Sequence, residues 1–405
     1  MTTESVPHRR AAQIQSRHYP TAHPKVLVPA AVTSKMQRRV TQASFGLVGA
    51  GWRSSVFLRM AYLMPDRFRA TGVVARRAES GAVVEQDWGL PTFRTVDELL
   101  TVEQPDFVIV SVPWQVTPEL IGRLVEQGIP VLAETPPAPD LPGLHALWSD
   151  VGDTGLVQVA EQYPLMPLHA ARLAVVESGV IGKPTSVLVS STHLYHAVAL
   201  MRQLLSVDRE PAEVTARRFA AELVDPITPT GWTHDTAAKQ AETTLAWIDF
   251  GSGRMGNYDF TENQWWNPVR PDHLMVRGST GEIFDETMVR MADDVTPVTS
   301  RIERSMTGIG MNYEGLDFTH LSLDGQVVFR NQYEGGRLSD DDIAVATLLD
   351  QMGAWTRGEA RPPYPLAEAC HDHAIGLAIV EAAASGVPIT VGEQPWHDPA
   401  PNART

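Results

Sequence analysis

The stretch Ser44-Phe45-Gly46-Leu47-Val48-Gly49-Ala50-Gly51-Trp52-Arg53-Ser54-Ser55 restricts the fold of this chain more than any other segment. A short apolar run ends in a Gly-x-Gly turn and opens into a helical pattern carried by Val56, Phe57, Met60, Ala61, Leu63 and Met64. In a strand–turn–helix setting, Gly49 permits the tight turn and Gly51 lets the backbone approach a pyrophosphate resting on the helix N-terminus. Ser54 occupies the place of a third glycine and is small enough for helix and strand to pack closely.

The next hundred or so residues alternate between strand and helix signals. Ala70–Ala75 reads as a strand, Leu90-Pro91 as a turn and Thr95–Leu100 as a helix start. Asp106–Ser111 is a continuous apolar strand of the doubly buried, parallel kind. A helix from Pro118 to Gln127 closes at Gly128, and Pro130–Glu134 gives a further strand. Alternation of this kind implies a parallel sheet and, with the glycine turn, a Rossmann domain over residues 44–159.

The second half changes character. Strand-like runs at Val187–Ser191, Glu213–Phe219, Thr243–Phe250, Met255–Phe260, Leu274–Arg277, Glu282–Phe284 and Gln326–Arg330 are separated by Gly, Asp and Pro turns. Helices are expected at Leu168–Ser178, Tyr195–Leu205, Asp341–Arg357 and Leu366–Ser385. The fold class expected is therefore α/β followed by α+β. Residues 160–392 form a domain on a largely antiparallel, open-faced sheet that serves substrate and oligomerisation.

Charge and cysteine usage narrow the function classes. The formal charge of −15 argues against nucleic acid or an anionic membrane as partner. The single cysteine, Cys370, excludes an internal disulfide and fits a reducing cytoplasm. No apolar run approaches the roughly 18–20 residues of a membrane span. The first 43 residues hold seven Lys/Arg against one Glu and read as a disordered basic tail, with Met36 as an alternative start. Arg9-Arg10 is followed by no apolar region of an export signal. Residues 393–405 read as a second tail.

The second strand ends Ala75-Arg76-Arg77, with no carboxylate before Glu79. An acidic residue there would grip the ribose hydroxyls of NAD, whereas two guanidiniums suit a 2′-phosphate. NADP(H) is therefore the preferred cofactor and NAD(H) the alternative.

The segments GAGWRS, DFVIVSVP, GIPVLAETP and ESGVIGKPTSV, in this order and spacing, resemble the Gfo/Idh/MocA family. The resemblance spans roughly residues 44–390. It implies an N-terminal Rossmann domain, a C-terminal open-faced sheet, NAD or NADP between them, and hydride transfer at a carbinol carbon of a sugar, cyclitol or related polyol. It also completes the cofactor set: Gly49, Gly51, Trp52, Arg53, Ser54, Arg76, Arg77, Ser111, Pro113, Glu134 and Thr135. Three departures stand out. The family's Glu-Lys-Pro, whose lysine is the usual acid/base, reads Glu134-Thr135-Pro136 here, and Thr117 replaces a common histidine. The later family motif aligns with Thr192–Ala199, where both carboxylates are lost and His196 alone survives.

Oxidising an alcohol moves a hydride and a proton, and an unperturbed threonine hydroxyl moves no proton near neutrality. The catalytic candidates are therefore His196, Tyr195, His193 and Tyr163. His193 and His196, three apart, are expected on one helix face. Cys370-His371-Asp372-His373 lies in a helical pattern whose neighbours diverge, so no metal is expected. Tyr258, Phe260, Trp265 and Trp266 suit either a ring substrate or a subunit interface. With Trp247 and Phe250 they lead to the expectation of a homodimer or homotetramer through the open sheet face.

Three functions remain open at this point. The first is an NADP(H)-dependent oxidoreductase on a small polyol, sugar or carbonyl compound. The second is a nicotinamide-dependent epimerase, lyase or glycosidase without net redox. The third is a non-catalytic nucleotide sensor.

Overall fold

The computed structural model describes residues 41–228, 231–308 and 316–397. Residues 1–40 and 398–405, most of the two expected tails, lie outside the described residues.

The first sheet has six parallel strands: β1 (Ala43–Val48), β2 (Phe68–Val74), β3 (Thr92–Phe93), β4 (Phe107–Val110), β5 (Val131–Ala133) and β6 (Val157–Val159). Their order is β3-β2-β1-β4-β5-β6. Helices α1 (Trp52–Leu63), α2 (Ala78–Trp88), α3 (Val96–Val102), α4 (Thr117–Glu126) and α5 (Leu141–Val151) connect them. All four residues of β4 are buried, as a strand covered on both faces requires. The order reverses between β1 and β4, and the crevice above that switch point is where such sheets bind ligands.

The second sheet has eleven strands in the order β18-β17-β16-β15-β14-β13-β7-β12-β11-β8-β19. Strand β7 (Pro184–Ser190) is central; β8 (Ala212–Val224), β11 (Ala238–Asp249), β12 (Met255–Thr261) and β19 (Ile389–Val391) lie to one side. On the other lie β13 (His273–Gly278), β14 (Gly281–Phe284), β15 (Thr287–Met291), β16 (Pro297–Thr307), β17 (Asp317–Leu323) and β18 (Gln326–Arg330). β9 (Ile227–Thr228) and β10 (Gly231–Trp232) form a separate small hairpin. Only the β7–β12 pairing is parallel.

Helices α6 (Pro167–Glu177), α7 (Leu194–Leu205), α8 (Asp340–Thr356) and α9 (Leu366–Ser385) complete the fold. α7 is buried along almost its whole length, wedged between α9 and the sheet. No helix among the described residues is long and apolar enough to cross a membrane.

Sequence reasoning misses β15, β16 and β17. In β16 Ile302 is the one fully buried residue, and register shifts at Ser305/Met306 and Leu321/Ser322 break the alternation that marks a strand. The aromatic expectation also needs correction. Phe250, Tyr258 and Phe260 are buried inside the protein and leave the open face without them, because α7 packs on β12 and α9 on β11. Trp247 does stand exposed on the other side of β11.

The first turn of α8 fastens the two halves together. Arg59 of α1 reaches Asp342 at 2.7 Å, and Arg304 of β16 reaches Asp340 at 3.0 Å. Ser339 and Asp342 form a reciprocal capping box.

Gly49 is required by the fold itself. Its φ is +119°, and a Cβ would lie 1.9 Å from the carbonyl oxygen of Ser111. Gly49→Ala should lower stability by roughly 3 kcal/mol or more, since strained backbone and a backbone clash add. Calorimetric melting of the purified variant measures this, and an unchanged melting temperature would contradict it.

Candidate active site

A cavity of about 840 Å³ opens at the switch point, within the size range of small-molecule sites. Its lining includes Gly49, Gly51, Trp52, Arg53, Arg76, Arg77, Ser111, Pro113, Glu134 and Thr135. Ser54 is not among them; it is buried beneath the turn, with its Oγ 3.4 Å from where a Gly49 Cβ would sit. Its small side chain serves helix–strand packing.

Three observations fit this cavity to a dinucleotide. A Cβ on Gly51 would meet nothing within 4 Å, so the fold does not require glycine there. No side chain caps α1, which leaves its first N–H groups free for an anion. Arg94 and Arg123, absent from the sequence reading, join Arg76 and Arg77 in the lining, where Glu119 and Glu134 are the only acids. Arg94 is held in place by donating to the Ala75 carbonyl at 2.9 Å.

The inner end is closed by an ion pair. Arg53 Nε donates to Glu134 at 2.7 Å, and its guanidinium lies 4.0 Å from Asp341 of α8. Burial works against the Arg53 charge, but Glu134 and Asp341 outweigh it and raise its pKa. Arg53 and Glu134 thus engage each other as well as lining the cavity.

Thr135 lies at this end and also lines a second, much smaller cavity with Glu161 and Tyr195. The Tyr195 hydroxyl lies against Thr135, and the Tyr195 ring is 4.4 Å from that of His196. Tyr163, in a single 3₁₀ turn after β6, stands 4.5 Å from the His196 ring. His193 is 5.2 Å from His196 and 4.8 Å from Trp265. The four catalytic candidates therefore converge.

His193 is the N-cap residue of α7, with extended backbone, and so does not share a helix face with His196. Burial, and then His196, lowers its pKa to about 3, which keeps it neutral. Burial pushes Tyr163 up to about 12 and Tyr195 up as well, so both keep their protons and serve as hydrogen-bond donors.

Sequence reasoning misses Glu161. It is 4% exposed, and its Oε2 lies 2.6 Å from His196 Nδ1 while Oε1 accepts the Tyr163 N–H at 3.1 Å. The available signal was a lone acid in Ala160-Glu161-Gln162-Tyr163-Pro164, directly after an apolar strand. A carboxylate on Nδ1 fixes the proton there and leaves Nε2 as acceptor, the arrangement of an oriented general base.

The residues of Cys370-His371-Asp372-His373 diverge. His371 meets the Glu210 carbonyl at 3.0 Å, Asp372 pairs with Arg202 at 2.6 Å, and His373 faces the backbone of Ala138 and Pro139. No group of ligands suited to a metal ion occurs among the described residues. Trp265 meets Phe260 at a tilt and His193 edge to face, and so borders the histidine cluster.

Residues 43–161 match the sequence model of Gfo/Idh/MocA, an oxidoreductase family with an NAD-binding Rossmann fold. No curated protein matches the whole sequence. Solved structures share the fold at low identity. A putative myo-inositol dehydrogenase from Sinorhizobium meliloti 1021 is 19% identical, with TM-score 0.61, covering 87% of this chain and 100% of that one. The WlbA dehydrogenase from Bordetella pertussis, in complex with NADH and UDP-GlcNAcA, is 16% identical, with TM-score 0.58 and coverage of 87% and 99%. A levoglucosan dehydrogenase in complex with NADH and levoglucosan is 17% identical, with TM-score 0.61 and coverage of 87% and 100%.

Gly51→Val should fold normally, because its side chain enters open space, yet lose nucleotide binding. Titration calorimetry with NADPH measures this; wild-type affinity in a folded variant would remove the glycine turn from the site.

Proposed function

We propose, from the premise that residues 43–161 belong to the Gfo/Idh/MocA oxidoreductase family, that this chain is an NADP(H)-dependent oxidoreductase acting on a sugar, cyclitol, polyol or related carbonyl compound. The observation that carries the reading is the buried Glu161–His196 pair, whose Glu161 shares the small second cavity with Thr135, a residue that also lines the large one.

Gly49, Gly51 and the open N-terminus of α1 would hold the pyrophosphate, with Thr135 and the Arg53–Glu134 pair at the reactive end. The bound nicotinamide supplies the hydride acceptor or donor. Every proton is then the protein's task. His196 Nε2 takes the carbinol proton while Glu161 stabilises the imidazolium that forms; in the reverse direction the same group returns it. Tyr163 and Tyr195 remain protonated and donate hydrogen bonds to the substrate oxygen. Thr135, unlike a lysine, contributes a hydrogen bond and no charge.

Removing a general base costs about 10²–10⁴ in rate. His196→Asn should lower turnover by that order with cofactor binding intact, Glu161→Gln by a smaller factor, and Thr135→Ala only mildly. Nicotinamide absorbance follows the reaction. A Thr135→Ala variant that is dead beside an active His196→Asn variant would refute this assignment. Deuterium uptake from solvent without net absorbance change would instead favour an epimerase or lyase.

The arginines around the end of β2 suit a 2′-phosphate through charge-assisted forked bonds. NADP⁺ should bind more tightly than NAD⁺ at matched salt, and the double variant Arg76→Ala, Arg77→Ala should reverse that order in calorimetry.

The outer face of the second sheet is the surface for self-association. Among the described residues no helix packs on it, and Phe219, Trp247, Phe284, Val289 and Met291 are exposed on it. Light scattering of the full chain should give a dimer or tetramer, and Trp247→Glu should shift it toward the monomer.

A further inference from the structure

Two histidines border the Tyr163 ring and are pinned by residues of opposite charge. His196 stands 4.5 Å from that ring and His169, on α6, stands 6.4 Å from it. The Glu161 carboxylate can only accept from His196 Nδ1, so the proton sits on Nδ1 and Nε2 is the acceptor. His169 is the mirror case. Its Nδ1 lies 3.2 Å from NH1 of Arg172, and a guanidinium can only donate. Nδ1 of His169 is therefore the acceptor, and the proton of the neutral ring sits on Nε2. Burial and then the Arg172 charge lower this histidine's pKa to about 3, so the ring is neutral in the working range.

Arg172 is well anchored for this task. It is 4% exposed, and its Nε donates to the Asp285 carbonyl at 2.9 Å. Among the described residues no carboxylate comes within ion-pair distance of it. Asp272, Asp285 and Glu286 lie farther off, and the Asp285 carboxylate is engaged by His273 at 2.9 Å and the Leu274 N–H at 3.0 Å. Among the described residues His169 is the side chain hydrogen-bonded to Arg172, while the three carboxylates act on its charge only from farther off. Among the described residues the hydrogen bonds of both histidines run through Nδ1, leaving Nε2 without a protein partner; His169 is half-buried and His196 is 6% exposed.

Building on the oxidoreductase reading, we infer that His169 is a substrate-binding residue whose Nε2–H, polarised by Arg172, holds a carboxylate oxygen next to the carbinol that His196 deprotonates. The substrate class is then a polyhydroxy acid rather than a neutral polyol. One ring offers a lone pair and the other a proton, a match for a hydroxyl that must lose its hydrogen beside a carboxylate that has none to give.

The tautomers are directly measurable. Long-range nitrogen–proton correlation spectra of the full chain, with isotope-labelled histidine, should show His169 protonated on Nε2 and His196 on Nδ1. His169→Gln and His196→Asn assign the signals. The same tautomer at both rings overturns the inference. Sodium D-gluconate added to the NADPH-saturated protein should shift the His169 Nε2 signal, and myo-inositol should not. His169→Leu and Arg172→Met should each weaken gluconate binding by about tenfold or more, the order of a lost charge-assisted hydrogen bond, while His169→Gln, which keeps a donor, should retain it. No shift with gluconate, or an equal one with myo-inositol, overturns the substrate assignment. Failure of NADPH itself to bind would be seen separately and would remove the oxidoreductase reading on which that assignment rests.

Discussion

The architecture hinges on a carboxylate that the fold withdraws from water. Glu161 follows the last strand of the first sheet, and its partner His196 sits on α7, the helix pressed against the second. A buried charge left alone costs several kcal/mol, and breaking a buried pair typically costs about 3–5 kcal/mol. The short segment from Val159 to Tyr163 therefore cannot drift from α7 without leaving Glu161 unpaired. The Tyr163 N–H on the second carboxylate oxygen fixes the 3₁₀ turn in the same stroke. One interaction thereby sets the position of the tyrosine, the tautomer of the histidine and the junction of the two sheets.

Position 135 carries no charge in this chain, and the charges around it are paired with one another. A lysine at position 135 would bring a positive charge to the Tyr195 hydroxyl and the Glu134 carboxylate. With threonine there, Glu134 finds its cation in Arg53, and Thr192 and Ala199 on either side of His196 are uncharged as well. The Glu161–His196 pair is shielded from solvent, where each strengthens the other.

Much of the framework was legible because its signals are local. The glycine turn and the apolar runs of β1 and β4 announce a parallel sheet, and the polar cap of α8 and the long apolar content of α8 and α9 announce helices. Strands β15–β17 were not legible, since β15 and β16 each bury a single residue and register shifts upset the alternation in β16 and β17. His196 could be picked out by its place in a motif. Glu161, Arg94 and the His169–Arg172 pair could not, because each acquires meaning from a neighbour distant in sequence or from a face of helix that only packing selects. The separation of Phe250, Tyr258 and Phe260 from Trp247 is of the same kind: composition counts aromatic residues but does not say on which side of a sheet they stand.

The central place of β7 governs the order in which this protein can assemble. It is the first strand of the second sheet to be synthesised, yet its neighbours β12 and β13 come some 65 to 95 residues later. The strands from β13 to β18 follow one another as simple hairpins and can zip outward once β13 is seated. The other wing must first bring β12 back alongside β7, and β19 closes its edge against β8 near the end of the chain. During translation the apolar underside of β7 therefore waits for partners still on the ribosome, and the first sheet waits as well, since α8 packs on β1 and β4 and β6 meets Tyr364 and Pro365. Both sheets are thus completed by the helices α8 and α9, and neither half is finished before those helices are made.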